Sequence, residues 1–479
     1  MNIELNVKQH DRFQLEFKMV YPIHHEHKTS EYNADVFFFL PRNLSVNPYT
    51  FTSMEFYNDF SEYIRFKTPI FPLSALVEPD NPAITKLKNA ILGLPGAEKE
   101  FNQCLKMFCS IVKSSLRDCS AEIKKNDTAD QKKLLMEYLE NAQNVLKIFR
   151  SFKKELARES AELELFGLAD EFLSVTSNRY AYSLWKYFKN KFPDDEEIKN
   201  ALVKTTFNEI QHRKINKYRA VPDPDGDNSE LLYRESALKK SLANILFLNV
   251  ETRRDGIMLE NIFMALAAAV AMIFVTGIAF AWQGFSLEDF SVSFFIVWVI
   301  AYMFKDRIKS QLQLYFLSKR SHYSYDFRQK IFDGYGNEVG IFREGFRHCD
   351  GKDIDKKIAK VRNRTIVSKM ENGSLEENVL VYRKKIELKG NACKNIFHEF
   401  NVEGVVNIYR LNVRHWLNKM DNPIRQICCS DGQNINPLAA HRDYHVNIVV
   451  RIGGKDCREQ YIRYRLVLCR NGIRRLEKF

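Results

Sequence analysis

The sequence predicts a mixed α+β, multidomain membrane protein: a small β-rich N-terminal unit, an α-helical bundle, a two-helix transmembrane hairpin and a C-terminal antiparallel β-rich domain. Three observations predict this class. Residues 262–282 carry no formal charge, although the chain is otherwise polar. Upstream of them, apolar side chains recur every three or four positions, which is the helical period. Near both ends of the chain, apolar and polar side chains alternate, which is the strand period.

Residues 1–78 form the predicted β-rich N-terminal unit. The segment 12–22 alternates, 34–41 is a short apolar run, and turn-forming Pro, Asn and Ser residues follow. We expect a half-open sheet that packs on the next region. The first residues are charged and lack the apolar core of a signal peptide, so the first membrane span is expected to act as an internal insertion signal.

Residues 79–256 form the predicted cytoplasmic α-helical domain. An apolar stripe runs along one side of a long helix in this region. It consists of Leu135, Leu139, Ala142, Leu146, Phe149, Phe152 and Leu156. Such a stripe is typical of a bundle core, and binding of a protein partner is the alternative.

Residues 257–304 form the predicted transmembrane hairpin, with spans at about 262–282 and 287–304. A helix rises about 1.5 Å per residue, so about 20 apolar residues cross the roughly 30 Å hydrocarbon core of a bilayer. The second apolar run begins a few residues after the first, which predicts that the chain returns to the side it started from. A buried helical pair in a large soluble core is the alternative, because such a pair is also apolar on all sides.

Charges beside the spans predict their orientation. Arg253 and Arg254 precede the first span, and three cations lie within five residues after the second. The connecting segment contains two acids but no Lys or Arg. By the positive-inside rule both termini are expected in the cytoplasm, so the sequence predicts an integral membrane protein with two spans.

Small residues in the first span predict how the hairpin packs. Ala265, Ala269 and Gly277, with Ala267 and Ala271 beside them, recur at helical spacing and leave one side of the helix shallow. Bulky residues of the second span, such as Trp298, are expected to approach this side. The apolar runs 262–282 and 290–304 contain no Asp, Glu, Lys, Arg or His, which argues against a transporter because proton relays and many ion paths need intramembrane charge.

Residues 305–322 are predicted to continue as a basic juxtamembrane helix. Apolar side chains fall on one side of this helix, and cations lie near the depth of lipid headgroups. The predicted headgroup-binding residues are Lys305, Arg307, Lys309, Lys319 and Arg320. Membrane lipids, anionic ones in particular, are therefore expected partners.

Residues 323–479 form the predicted basic β-rich cytoplasmic domain. Its strand patterns are separated by the dipeptides Asp333-Gly334, Gly453-Gly454 and Asn471-Gly472, which are typical of hairpin turns. Antiparallel strands in a sandwich or a sheet are expected.

The basic charge of the chain is concentrated after the membrane hairpin. From residue 305 onward there are 35 Lys and Arg against 20 Asp and Glu, whereas the preceding part is slightly acidic. Arg463 and Arg465 alternate with apolar residues, which predicts a strand with one cationic face suited to binding. Anionic lipid is the favoured ligand because membrane attachment brings headgroups close. Nucleic acid is disfavoured, and a charge that serves only solubility is a further alternative.

Motifs for catalysis, cofactors or metals are incomplete, so no catalytic, cofactor-binding or metal site is predicted. The tripeptide 441–443 resembles part of a kinase catalytic loop, but the other kinase motifs are missing. The acidic loop 223–228 lacks the Gly and Glu that an EF-hand requires. The histidine cluster 24–27 has no second pair of ligands nearby in sequence. Nine cysteines without a regular framework are interpreted as reduced thiols.

Three functional hypotheses follow from these features. The first is a two-pass membrane-anchored scaffold that presents its helical and cationic β domains to protein partners and anionic headgroups. The second is an oligomeric effector or channel gated by the cytoplasmic domains, with self-association through the transmembrane and helical regions. The third is a membrane-bound enzyme whose site forms across domains without a local signature.

Overall fold

The fold is that of a computed structural model. It describes all residues except 1–2, 25–26, 126–129, 158–159, 284–291, 324, 335, 364–376, 391–399, 401, 431 and 456. The architecture is mixed α+β, as predicted, with strands toward both ends of the chain and helices between them.

The strands form three antiparallel sheets. The orders are β1-β2-β9-β4, β10-β11 and β14-β13-β12-β3-β8-β7-β6-β5. The strands are β1 Glu4–Gln9, β2 Gln14–Pro22, β3 Thr29–Leu40, β4 Phe60–Phe66, β5 Asn249–Arg254, β6 Phe327–Phe332, β7 Glu338–Cys349, β8 Asn378–Lys389, β9 Gly404–Asn412, β10 Ile424–Ser430, β11 Ile435–His441, β12 Tyr444–Gly454, β13 Cys457–Cys469 and β14 Gly472–Lys478. The predicted turn dipeptides lie at the hairpins β6–β7, β12–β13 and β13–β14.

Strands from the two ends of the chain alternate within the larger sheets. β3 lies between β8 and β12, and β9 lies between β2 and β4. The predicted units 1–78 and 323–479 are both rich in strands, but they share their sheets and their core. Pairing between distant strands cannot be read from local alternation, which is why the sequence suggested two separate units.

Aromatic side chains from the four- and eight-stranded sheets fill the space between them. Phe17 on β2 stacks on Tyr409 at 4.8 Å between ring centroids and meets the edge of Phe38 on β3 at 6.2 Å. Trp416, which follows β9, is fully buried against Phe38. These contacts hold the two sheets together as one layered core.

The helices lie mostly between β4 and β6. They are α1 Ser53–Asn58, α2 Pro82–Leu92, α3 Glu98–Lys125, α4 Gln131–Ser151, α5 Ala161–Lys191, α6 Glu196–Ile215, α7 Ser229–Ala243, α8 Ile257–Gln283, α9 Val292–Tyr323, α10 Lys356–Arg362 and α11 Arg414–Leu417. The predicted apolar stripe lies mainly on α4, where its residues from Leu135 to Phe149 are buried. The interpretation of this stripe as a bundle core is therefore confirmed.

Helices α8 and α9 form a pair inserted between two adjacent strands of the eight-stranded sheet. β5 leads directly into α8, and α9 leads back into β6. The two strands pair antiparallel, and the Asp255 amide donates to the Asp326 carbonyl at 2.9 Å. Both ends of the helix pair are thus fixed side by side at the edge of the sheet.

The helix pair is in contact through part of the predicted group of small residues. Phe263 on α8 stacks on Phe316 on α9 at 5.3 Å. Ala267, Ala271 and Val275 continue the buried side of α8 at four-residue spacing. The predicted contact residues Ala265, Ala269 and Gly277 are exposed, and so is Trp298 on α9. Of the predicted small residues, Ala267 and Ala271 are the ones that are buried in the helix pair.

The two-span prediction is not supported by the described residues. In α8, the window Glu260–Ile278 is long and apolar enough to cross a membrane, and α8 is the only described helix that meets this criterion. The apolar part of α9 runs from Val292 to Phe304, about 20 Å, before Lys305 interrupts it. The predicted connecting turn lies outside the described residues.

The register between α8 and α9 gives a physical reason why the two-span prediction is not supported. Phe263 and Phe316 contact each other, and the two helices run antiparallel. The same number of residues separates Phe263 from Phe274 along α8 and Phe316 from Lys305 along α9. Lys305 therefore lies beside Phe274, well inside the apolar window of α8. The apolar parts of the two helices are therefore offset along the axis. This offset cannot be predicted from the hydropathy of either apolar run alone.

Candidate functional site

One face of the eight-stranded sheet points away from the core and carries many charges. Alternate residues of each strand face the core, such as Tyr382, Ile386 and Leu388 on β8. The residues between them form the opposite face, which we call the outer face. Helix α10 covers one part of the outer face, where Ile358 packs on an apolar cluster that includes Phe37 and Val381.

The uncovered part of the outer face contains a row of cations across four neighbouring strands. Arg253 on β5 pairs with Arg328 on β6, which pairs with Arg343 on β7, which pairs with Lys385 on β8. We call these four residues the cationic row. Like charges directly opposite each other on adjacent strands destabilise a sheet, so the row contains three unfavourable cross-strand pairs.

Acidic residues compensate the cationic row only in part. Glu387 Oε1 lies 2.7 Å from Arg343 Nη1 and 3.2 Å from Lys385 Nζ, so it is shared between two cations. Arg343 also lies 3.8 Å from Asp255, Lys385 lies 3.4 Å from Glu31, and Arg253 lies 3.7 Å from Glu251. Among the residues that the structure describes, Arg328 has no ion pair, and its buried Nε has no hydrogen-bond partner. The positive charge that the row keeps available for an anion is therefore mainly that of Arg328.

The cationic row begins at the root of the helix pair. Arg253 is on β5, the edge strand, and α8 starts four residues later at Ile257. Arg328 is the second residue of β6, the strand that α9 enters. The row and the apolar helix α8 are thus adjacent parts of one surface.

A hollow of about 270 Å³ lies beside the cationic row. Its lining consists of Asn33, Asp35, Tyr325, Arg383, Arg451, Gly453, Gly454 and Glu459. Arg451 Nε donates to Asp35 Oδ2 at 2.9 Å, and the Arg383 guanidinium packs over the Tyr325 ring at 5.6 Å. Two acids, Asp35 and Glu459, match the two arginines here, so the hollow has no excess of positive charge.

The predicted cationic strand is β13, and its two arginines lie on the outer face. Both guanidinium groups pack against the ring of Phe479, Arg463 at 4.8 Å and Arg465 at 4.9 Å. Arg463 also donates to Asn447, and Arg465 lies 3.5 Å from Glu477. Burial, followed by the nearby charges of Arg362 and Arg465, lowers the pKa of Arg463. These arginines are held by the protein more firmly than Arg328 is.

The predicted headgroup-binding residues all belong to α9. Lys305 packs over the Tyr302 ring at 4.5 Å, and Arg307 is exposed. Lys309 is half-buried. Lys319 and Arg320 lie in the last turns of α9, and their side chains fall outside the described part. Their role as lipid ligands stays a prediction.

Sequence reasoning missed most of the cationic row, although a signal for it is present. Arg253 was recognised only as a charge beside the first span. Arg328 and Lys330 on β6 alternate with other residues, the same pattern that identified Arg463, whereas Lys385 on β8 directly follows two other cations. Alternation shows that cations share a face within one strand, but only the pairing of strands aligns them in a row.

Charged groups also converge in the helical region, where they neutralise one another. Arg150 on α4 donates to Asp170 on α5 and to Glu209 on α6 at 2.7–3.0 Å. His212 Nε2 lies 2.7 Å from Asp170. Burial raises the pKa of Asp170, but the hydrogen bond with His212 and the charge of Arg150 outweigh it, so the pKa lies below its usual value. This arrangement is typical of a structural network.

The described residues contain no group of three or more His, Cys, Asp or Glu side chains placed to hold a metal ion. In the acidic loop, Asn228 bonds to the backbone of Asp223, as expected for a polar turn. No family model, no curated protein and no solved structure matches this chain. The function is therefore inferred from the geometry described above. Half-exposed guanidinium and ammonium groups in a row are suited to binding phosphate or carboxylate oxygens.

Proposed function

We propose that the protein is a membrane-anchored scaffold or binding protein that holds anionic lipid headgroups on its outer face and a protein partner on its helical region. The observation that carries the proposal is the continuity of the cationic row with the root of the helix pair. A lipid surface offers an apolar interior and an anionic layer next to each other, and α8 and the row match these two layers in the same order.

Helix α8 supports the anchoring role. Only 17% of its apolar window Glu260–Ile278 is buried, whereas the core helix of a soluble protein is mostly buried. Side chains such as Ile273, at 71% exposed, and Leu266 would lose apolar contact with water in a bilayer. The exposed apolar surface thus argues for lipid over the alternative of a soluble core.

The pairing of β5 with β6 supports the proposal that both helices enter the membrane from the same side. Because β5 and β6 are hydrogen-bonded neighbours, the start of α8 and the end of α9 lie on the same side of the membrane in this proposal. Arg253 and Arg254 at this root favour the cytoplasmic side, in which case the two termini are cytoplasmic.

The offset between the apolar parts of α8 and α9 favours a particular depth of insertion into the bilayer. A full second crossing would bring the Lys305 charge and its neighbours into the hydrocarbon, which costs several kcal/mol for each buried charge. If these cations stay at headgroup level, the far end of the pair enters the bilayer only part of the way. We favour this arrangement, and labelling tests it.

The labelling experiment uses two exposed positions on α8. Ala281→Cys lies near the far end and Asn261→Cys near the root, in a background with Cys428→Ser and Cys429→Ser. A pair that enters part of the way protects the A281C thiol from an impermeant maleimide on both sides of a vesicle. Labelling of A281C from the side opposite to N261C would instead establish a full crossing.

The proposed protein partner binds the outer side of α6. Ile198 and Leu202 of this helix are buried, but further along Glu209 and Arg213 are buried as well, whereas Val203 and Phe207 are 52% and 57% exposed. Exposed apolar residues on the side of a helix that faces solvent are suited to contact with another protein. Val203→Ser with Phe207→Ser is expected to abolish binding of the partner that co-purifies with the full chain.

The lipid experiment uses a version of the chain without the helix pair. Residues 256–325 are replaced by Asn-Gly, because the hydrogen-bonded ends at Asp255 and Asp326 suit a two-residue hairpin turn. In vesicle flotation, this variant is expected to float with phosphatidylserine-containing vesicles, to stay behind with phosphatidylcholine alone, and to be released by salt. Equal recovery on both lipids would remove the headgroup proposal. A C-terminal fragment is unsuitable, since β3 from the N-terminal part completes its sheet.

A further inference from the structure

Lys384 on β8 is buried between the two large sheets, with 1% of its side chain exposed. Its ammonium contacts Oε1 of Glu62, which belongs to β4 in the opposite sheet. A second carboxyl group, that of Glu344 on β7, has its Oε2 3.9 Å from the same nitrogen. One amine and two carboxyl groups therefore converge in the core.

Hydrogen bonds fix both carboxyl groups around the amine. Gln329 Nε2 donates to Glu62 Oε2 at 3.0 Å and to Glu344 Oε1 at 3.2 Å. The Tyr382 hydroxyl donates to Glu344 Oε2 at 2.7 Å. The Phe342 ring lies 5.0 Å from Lys384 Nζ. The site is thus oriented by polar groups and surrounded by aromatic ones.

The proton content of the site allows all three groups to be uncharged. Burial raises the pKa of Glu344 to about 7, with Lys384 opposing the rise and Glu62 adding to it. The site then holds an ammonium, a carboxylate and a carboxylic acid, which together are neutral. The same protons also make a free amine and two carboxylic acids. The second form is the reactive one, because its amine has the lone pair that a nucleophile needs.

We propose that Lys384 and Glu62 become joined by an intramolecular amide bond between the two sheets. The lone pair of Lys384 Nζ attacks Cδ of Glu62, while the hydrogen bond from Gln329 keeps Oε2 as the carbonyl oxygen. Oε1 carries the proton of the Glu62 carboxylic acid, and Glu344 gives its own proton to Oε1 and takes one from the nitrogen. Oε1 leaves as water, so one C–N bond forms, one C–O bond breaks, and Glu344 ends as it began. No oxidant or reductant is needed.

In solution, water hydrolyses an amide rather than allowing it to form. The fixed position of the reacting groups favours the bond here. Groups held in contact behave as if present at about 10⁵–10⁸ M, which can outweigh the hydrolysing effect of solvent water. The water that is released leaves a core in which Tyr382, Tyr409 and Phe60 pack within 5.0–5.6 Å of one another. The new bond would connect residues 322 positions apart in sequence.

The test is the intact mass of the full-length chain after denaturation. The amide is expected to lower the mass by about 18 Da, the mass of one water, from the value calculated from the sequence. Protease digestion should then release a branched peptide that joins position 62 to position 384. A wild-type mass equal to the calculated value, or a loss of water at another position, would overturn the proposal without any variant.

Variants separate the amide from an ordinary ion pair. Lys384→Arg keeps a cation but is expected to abolish the loss of water. Glu344→Gln keeps the size of the side chain and removes the proton transfer, so its mass should return to the calculated value. Lys385→Arg, on the outer face one residue away, is the matched control and should keep the loss. Persistence of the loss in Lys384→Arg would contradict the assignment.

Discussion

Charged side chains are arranged in opposite ways in the helical region and on the outer face of the eight-stranded sheet. In the helical region, Arg150 lies between Asp170 and Glu209, so opposite charges meet in a largely buried place. In the cationic row, Arg328 lies between two other arginines and stays half-exposed. The difference separates two roles. The first arrangement contributes to the free energy of unfolding, whereas the second costs stability through its like-charge pairs. The anionic headgroup proposed above would offset this cost.

The largest expected effect comes from breaking the helical network. Arg150→Ala leaves the Asp170 and Glu209 carboxylates buried without their cation, and should lower the free energy of unfolding by about 3–5 kcal/mol. Urea denaturation of the detergent-solubilised chain measures it. Lys199→Ala, which removes an exposed ion pair with Glu196, is the control and should cost less than about 0.5 kcal/mol. A loss below about 1 kcal/mol for Arg150→Ala would remove the structural role of the network.

Acidification should weaken the same network. The folded-state pKa of Asp170 lies below the ordinary value of 3.8, so the stability it contributes is present in full above that value. It is lost as the pH falls through the lower folded-state pKa. The free energy of unfolding measured against pH should therefore fall more steeply at acid pH for wild type than for Asp170→Asn. Parallel curves for the two proteins would show that Asp170 is not the group responsible.

A smaller effect, on lipid binding and not on stability, is expected from a change in the cationic row. Arg328→Gln should weaken binding to phosphatidylserine-containing vesicles about fivefold, since one cation near an anionic membrane is worth about 1 kcal/mol. The free energy of unfolding should stay the same or rise slightly, because two like-charge pairs are relieved. Lys240→Gln on exposed α7 is the matched control and should leave vesicle binding unchanged. A stability loss without a change in binding would make Arg328 a structural residue.

The smallest effect is expected at Arg465. Its guanidinium is held by Phe479 and by a partly exposed ion pair with Glu477, so Arg465→Gln should cost about 0–1 kcal/mol of stability. Its effect on vesicle flotation should be smaller than that of Arg328→Gln. The reverse order would move the proposed headgroup site from the cationic row to β13.

The sequence predicts those parts of the fold that depend on local periodicity. The stripe on α4, the three hairpin turns and the apolar helix α8 were all identified from neighbouring residues. The alternation of N- and C-terminal strands was not identified, because β3 finds its partners more than 300 residues away. The offset between α8 and α9 was missed for a related reason, since hydropathy does not specify the register between two helices.

The candidate site was only partly accessible to sequence reasoning. Arg463 and Arg465 were identified because they alternate within one strand. The row from Arg253 to Lys385 depends on the register of three strand pairs, which local patterns do not fix. The buried group of Lys384, Glu62 and Glu344 was not identified at all, since its members belong to three different strands in two sheets.

The central position of β3 has a consequence for synthesis on the ribosome. β3 is made early, but its neighbours β8 and β12 appear only after residue 377 and residue 443. For most of translation, an apolar strand that contains three consecutive phenylalanines must therefore wait without its final partners. Such a delay exposes the nascent chain to aggregation and makes it a natural client for chaperones. By then α8 has already emerged, so under the proposed membrane anchoring its insertion can begin before the sheet closes.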